Sequence, residues 1–260
     1  MFRIDPLLYR VIFLKNSAAA VDELPRLGIY TFTAEALQKI SHNSLAHVRH
    51  LFLDRHAVGE TALKTWVPAC TGITNLFAQL ECTPESLSSL SGFTNVRYLT
   101  IDVRALSGTD VPYPLFLNVT HLELLAFRTR NRKVAPIIYA PMCQNIALIP
   151  QLTHIALNPR LHTLLSHDGL RANMQLQCIV FLAANRSSLV GSPLLDDDRF
   201  VCIEERQHYE LDWLNGSVFG EDYWSLADEL IAARRAGTID RFRYRVASGK
   251  DLEYVEESWD

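Results

Sequence analysis

Apolar residues along this chain recur in a short phrase, apolar-x-x-apolar-x-apolar, that returns at a nearly constant distance. It stands at Val48, Leu51, Leu53; Ile73, Leu76, Ala78; Val96, Leu99, Ile101; Val119, Leu122, Leu124; Leu152, Ile155, Leu157; and Leu176, Ile179, Phe181. The steps are 25, 23, 23, 33 and 24 residues, and Val201 with Ile203 extends the series by a further 22. A phrase with that period predicts stacked coils, each a short strand followed by a segment that closes the turn, because one coil cannot bury its apolar side without its neighbours.

The predicted fold class is therefore α/β: a leucine-rich-repeat-like solenoid (horseshoe) with a parallel concave sheet, convex helices and a C-terminal capping helix. It forms one domain over residues 1–260, with regular repeats over about 45–205 and the cap over 206–250. Residues 8–14, LYRVIFL, predict a first strand with Val11 and Phe13 turned inward. A short helix follows over 33–40, with Thr33 as N-cap and Leu37 and Ile40 buried. Helical spacing over 61–70 (Leu63, Trp66, Val67, Cys70) and 161–170 (Leu161, Leu164, Leu165) predicts convex helices. Residues 221–237, EDYWSLADELIAARRAG, have acids at the start, Arg234 and Arg235 at the end and Gly237 to stop them. They predict a helix that seals the last coil, with Phe242, Tyr244 and Val246 adding a strand or arm after it.

Alternation along a strand sends the residues that flank each inward pair to the concave side. The row before the pair is His50, Asn75, Tyr98, His121, His154 and Cys178; the row within it is Phe52, Phe77, Thr100, Glu123, Ala156 and Val180; the row after it is Asp54, Gln79, Asp102, Leu125, Asn158 and Leu182. Strands about 4.8 Å apart would set His121 beside His154, with Glu123, Tyr98 and Asp102 near them. Two imidazoles and a carboxylate suit general acid/base catalysis or a two-His-one-carboxylate metal site; the same groups also suit a solvated sheet face that hydrogen-bonds along its ladder. His50, Phe52, Asn75, Phe77 and Thr100 complete the expected ligand surface, with Phe52 and Phe77 as its apolar end. The 33-residue step carries a basic cluster, Arg128, Arg130, Arg132 and Lys133, in what would be a loop on the binding rim.

Composition narrows the partner. A net charge of −4 gives no reason to expect nucleic acid or an anionic membrane. Five scattered cysteines without a C-x-x-C pair suggest neither a disulfide framework nor a zinc knuckle, and fit the cytoplasm. Asp5 and Arg10 interrupt any signal-peptide core, and no stretch approaches a membrane span. Asp196, Asp197 and Asp198 are adjacent acids that diverge, so no metal is assigned to them. Motifs for dinucleotides, nucleoside triphosphates, nucleophilic serine or catalytic zinc are absent, and no cofactor is assigned.

The phrases LYRVIFL (8–14), AHVRHLFL (46–53), CTGITNL (70–76), VTHLEL (119–124), LTHIAL (152–157), DDRFVCIE (197–204) and DYWSLADELIAARRAG (222–237) together span nearly the whole chain. In their order and in the two ending motifs the chain resembles the F-box-like, leucine-rich-repeat-like proteins expanded in mushroom-forming fungi. The resemblance implies a repeat domain that holds a protein substrate, behind an F-box that docks on the adaptor of a ubiquitin ligase. Seven residues precede the expected first strand, so the docking segment is expected to be absent. The resemblance transfers no catalytic residue.

Two functions follow as expectations. The first is a recognition module that binds a protein partner on the concave face. The second is a small-molecule enzyme using His121, His154, Glu123, Tyr98 and Asp102 in the same groove, with the basic rim holding an anionic substrate.

Overall fold

Each phrase forms a strand, and strands of successive phrases within one compact unit pair in parallel. A computed structural model describes residues 10–14, 31–32, 34–54, 60–80, 82–107, 113–126, 142–184, 189–203, 209–220 and 222–246. Contacts divide the chain into two compact units, Met1–Leu122 with Leu148–Gln151 and Glu123–Ala147 with Leu152–Asp260. Both are α/β. The basic cluster and Thr33 lie outside the described residues.

In the first unit β1 (Val11–Leu14), β3 (His50–Leu53), β4 (Asn75–Ala78) and β5 (Tyr98–Asp102) run side by side. An unpredicted two-residue strand, β2 (Thr31–Phe32), pairs with β1 at the outer edge. Leu122, near the start of β6 (His121–Leu125), sits in the strand next to that of Leu99. In register are Leu51, Leu76 and Leu99, then Leu53, Ala78 and Ile101, which are the predicted core pairs, and all are buried.

The period is carried by backbone bonds between successive coils. Thr74 N–H donates to the Arg49 carbonyl (2.8 Å), Arg97 N–H to Thr74 (2.8 Å) and Thr120 N–H to Arg97 (2.9 Å). Side chains repeat the step: Asn95 Nδ2 donates to the Thr71 carbonyl and Asn118 Nδ2 to the Thr94 carbonyl, each 24 residues back. Coils meet so closely at Gly72 that a side chain there would collide with the Ala46 carbonyl.

In the second unit β7 (His154–Leu157), β8 (Cys178–Leu182) and β9 (Phe200–Ile203) are parallel neighbours, and Gln177 N–H donates to the Thr153 carbonyl (2.7 Å). Arg199 fastens this part. Its guanidinium grips both oxygens of Asp197 (2.9 and 2.7 Å) and donates to the carbonyls of Arg171, Asn173 and Leu176. Asp197 is therefore an ion-pair partner: burial works to raise its pKa, and the hydrogen bonds and charge of Arg199 outweigh that and hold it low.

Two strands are one residue out of phase with the sequence reading. Register aligns Ile12 with Leu51 and Leu14 with Leu53, so Ile12 and Leu14 take the inward positions assigned to Val11 and Phe13. Likewise Phe200 and Cys202 align with Ile179 and Phe181, in place of Val201 and Ile203. Both strands are apolar throughout, so nothing in their alternation marks the phase.

The connecting segments are shorter than predicted. Residues 61–70 divide into a helix at Glu60–Lys64 and a 3-10 turn at Val67–Ala69, and in 161–170 the helix begins late, at His167–Ala172, capped by Ser166. The early helix is Ala34–Gln38, with Leu37 buried and Ile40 only partly so. No helix among the described residues is long and apolar enough to cross a membrane, and all five cysteines are free thiols.

The C-terminal helix is Tyr223–Ala236. Asp222 and Ser225 form a reciprocal capping box at its start, and Gly237 ends it at φ 73°. Its place differs from the prediction. Tyr223, Trp224, Ala227, Leu230 and Ile231 pack with Ala156, Cys178, Val180, Leu182, Val201 and Ile203, so the helix lies on the sheet face predicted to be concave and open. The edge of β9 is taken instead by β10 (Arg245–Val246), the strand expected after Ile239.

Candidate functional site

Within each unit part of the rows expected from the alternation is in register, and exposure separates their members. In the first unit His50, Asn75 and Tyr98 are in register at the strand starts. Tyr98 is 38% exposed and its ring stacks on His121, centroids 4.3 Å apart. His121 Nδ1 lies 2.9 Å from the oxygen of the Thr120 hydroxyl, whose O–H donates to the Arg97 carbonyl, and this contact helps to hold the imidazole against the tyrosine. His50 is more enclosed: burial first, then the charges of Arg10 and Arg49, push its pKa down to about 4. Among the described residues its buried Nδ1 has no hydrogen-bond partner.

The second row departs from the expected ligand surface. Phe13, Phe52 and Phe77 form a buried column of stacked rings at 4.2 and 4.3 Å, and Thr100 is buried beside them in the register. Aromatic rings on adjacent parallel strands are spaced at stacking distance, and the pairing stabilises beyond the area it removes from water. These phenylalanines are core, which corrects their assignment to an open apolar end. Asp102, in the third row, is buried and bound twice by Arg104 (2.7 and 3.1 Å) while accepting the Arg104 N–H (2.9 Å). It caps the turn that follows β5.

In the second unit the expected groups lie beneath the C-terminal helix. Glu123 is 3% exposed and accepts a hydrogen bond from the Tyr223 hydroxyl (3.2 Å). His154 is 8% exposed, with Nε2 3.0 Å from Asp228 Oδ1 and Nδ1 2.7 Å from the Thr153 hydroxyl. The edge of Trp224 meets its ring at 6.0 Å. Cys178, paired in register with His154, is fully buried; burial first and then the charge of Asp228 raise its thiol pKa, against Arg234 and Arg235. Tyr98 and His121 thus belong to one unit and Glu123 and His154 to the other.

Tyr223 and Asp228 were missed as partners of Glu123 and His154. A signal existed: Ala156, Cys178, Val180 and Leu182 occupy positions assigned to a solvated face, and no solvated face carries such an apolar set. Something had to cover it, and the apolar side of the last helix was available.

No protein-family model, curated protein or solved structure matches the chain.

Proposed function

We propose that this chain is a leucine-rich-repeat-like recognition module that binds a protein partner through the row His50, Asn75, Tyr98 and His121. The observation that carries the reading is the half-exposed Tyr98 stacked on His121 at the strand starts, in register with Asn75. A rigid aromatic step flanked by amide and imidazole groups offers area and hydrogen bonds at small entropic cost, and tyrosine is among the residues enriched at binding hot spots. The coil-to-coil bonds repeating every 23 to 25 residues support a solenoid, as does the resemblance to F-box-like repeat proteins.

An acid/base enzyme would need Glu123 and His154 open to a substrate, and both lie under Tyr223, Trp224 and Asp228. That favours recognition, with the accessible part of the face in the first unit.

The test is a photoreactive phenylalanine placed at position 98 in cells that make the protein. A discrete protein adduct is expected, and it is absent when the probe sits at Met174, which is 85% exposed; with Tyr98 in place, His121→Ala should weaken binding of the partner so identified about 30-fold if the pair contributes about 2 kcal/mol. An adduct of equal yield from position 174, or none from 98, removes the proposal.

A further inference from the structure

We propose that His154, Cys178 and Asp228 form a binding site for one zinc-like divalent cation. Nothing in the recognition reading requires it, since it lies wholly within the second unit. One ligand atom from each residue lies within 4.8 Å of the others. The centre of a triangle with such sides is under about 3 Å from every corner, so side-chain rotations of less than ~1 Å reach the roughly 2.0–2.3 Å bonds of zinc to nitrogen, oxygen and sulfur.

Three features fit a cation better than an ordinary buried ion pair. The donor set is one imidazole, one thiol and one carboxylate, a mixture that suits a borderline-soft ion such as Zn²⁺ and is poor for Mg²⁺ or Ca²⁺. A thiolate and a carboxylate around a divalent ion sum to zero, so the charge left beside the apolar cluster of Ala156, Val180 and Trp224 is small. The imidazole is also held from behind. With Nε2 on the metal, Nδ1–H would donate to the Thr153 hydroxyl already 2.7 Å away, the outer contact that orients most metal-bound histidines.

Access comes from the helix side. The Asp228 side chain is 54% exposed, which opens a route for the ion and a fourth position for water. Arg234 and Arg235 on the same helix repel a cation, and the two anionic ligands must outweigh them. Binding releases the Cys178 proton, while the imidazole proton moves from Nε2 to Nδ1.

Cobalt(II) is the probe. Titrated into chelator-treated protein, it should bind one equivalent with the near-ultraviolet thiolate-to-cobalt band and visible bands of a four-coordinate ion, both erased by Zn²⁺. Cys178→Ala should abolish the thiolate band, and Asp228→Asn, a change at an exposed side chain, should weaken binding at least about tenfold. Cys143→Ala should leave both unchanged. A thiolate band that survives Cys178→Ala, an affinity unchanged in Asp228→Asn, or no thiolate band at stoichiometric cobalt overturns the site.

Discussion

Arg199→Ala is expected to destabilise the second unit by about 3–5 kcal/mol, measured by urea unfolding. The guanidinium is 13% and its Asp197 partner 6% exposed, so the ion pair is shielded from water. Removing the arginine strands a buried carboxylate and takes donors from the carbonyls of Arg171, Asn173 and Leu176 at once. Lysine should restore less than half, because a single ammonium cannot fork across a carboxylate and reach three carbonyls. Arg235→Ala supplies the contrast. Its contact with Asp198 is 3.6 Å long with both side chains largely exposed, and less than about 0.5 kcal/mol is expected. A loss under about 1 kcal/mol for Arg199→Ala would mean that this fastening is ornamental.

Acid should weaken the fold before carboxylates titrate, through two histidines. His162 stacks face to face on Phe181 at 4.3 Å, and its Nε2–H donates to the Leu157 carbonyl. Burial, chiefly, and the nearby His167 push its pKa down to about 4, against the hydrogen bond to Leu157, and His50 is lowered to about 4 as well. The unfolded rings take up protons near pH 6.5, while the folded ones stay neutral to about 4. Stability from the neutral rings is therefore fully present above pH 6.5 and is lost as pH falls from there through 4. Each ring contributes roughly 3 kcal/mol at the limit. Ring titration by NMR should give midpoints near 4 for both, and His162→Gln should remove the acid sensitivity of its share. Midpoints near 6.5 would contradict this.

How much was legible follows from what each segment had to distinguish. Strands β3 to β5 alternate between aliphatic residues and polar or aromatic ones, so phase and register could be read, down to the alignment of His50, Asn75 and Tyr98. In β1 and β9 every residue after Val11 is buried, and a strand apolar on both faces carries no phase. The C-terminal helix announced its ends through Asp222, Arg234, Arg235 and Gly237, and its apolar side through Tyr223, Ala227 and Leu230. What that side packs against is not a local property, and the same residues would serve at a coil's end or across a sheet. For that reason Glu123 and His154 were legible as members of a row while their partners, Tyr223 and Asp228, were not. Phe52 and Phe77 failed differently: alternation placed them on the right face, and only stacking with Phe13 shows that this part of the face is interior.

Everything proposed for the Tyr98 row depends on coils that repeat in register. Through-hydrogen-bond NMR couplings read that directly. Couplings are expected from the amide nitrogens of Thr74, Arg97, Thr120 and Gln177 to the carbonyl carbons of Arg49, Thr74, Arg97 and Thr153. Couplings to the residues next in line, or none between these coils, would contradict that register.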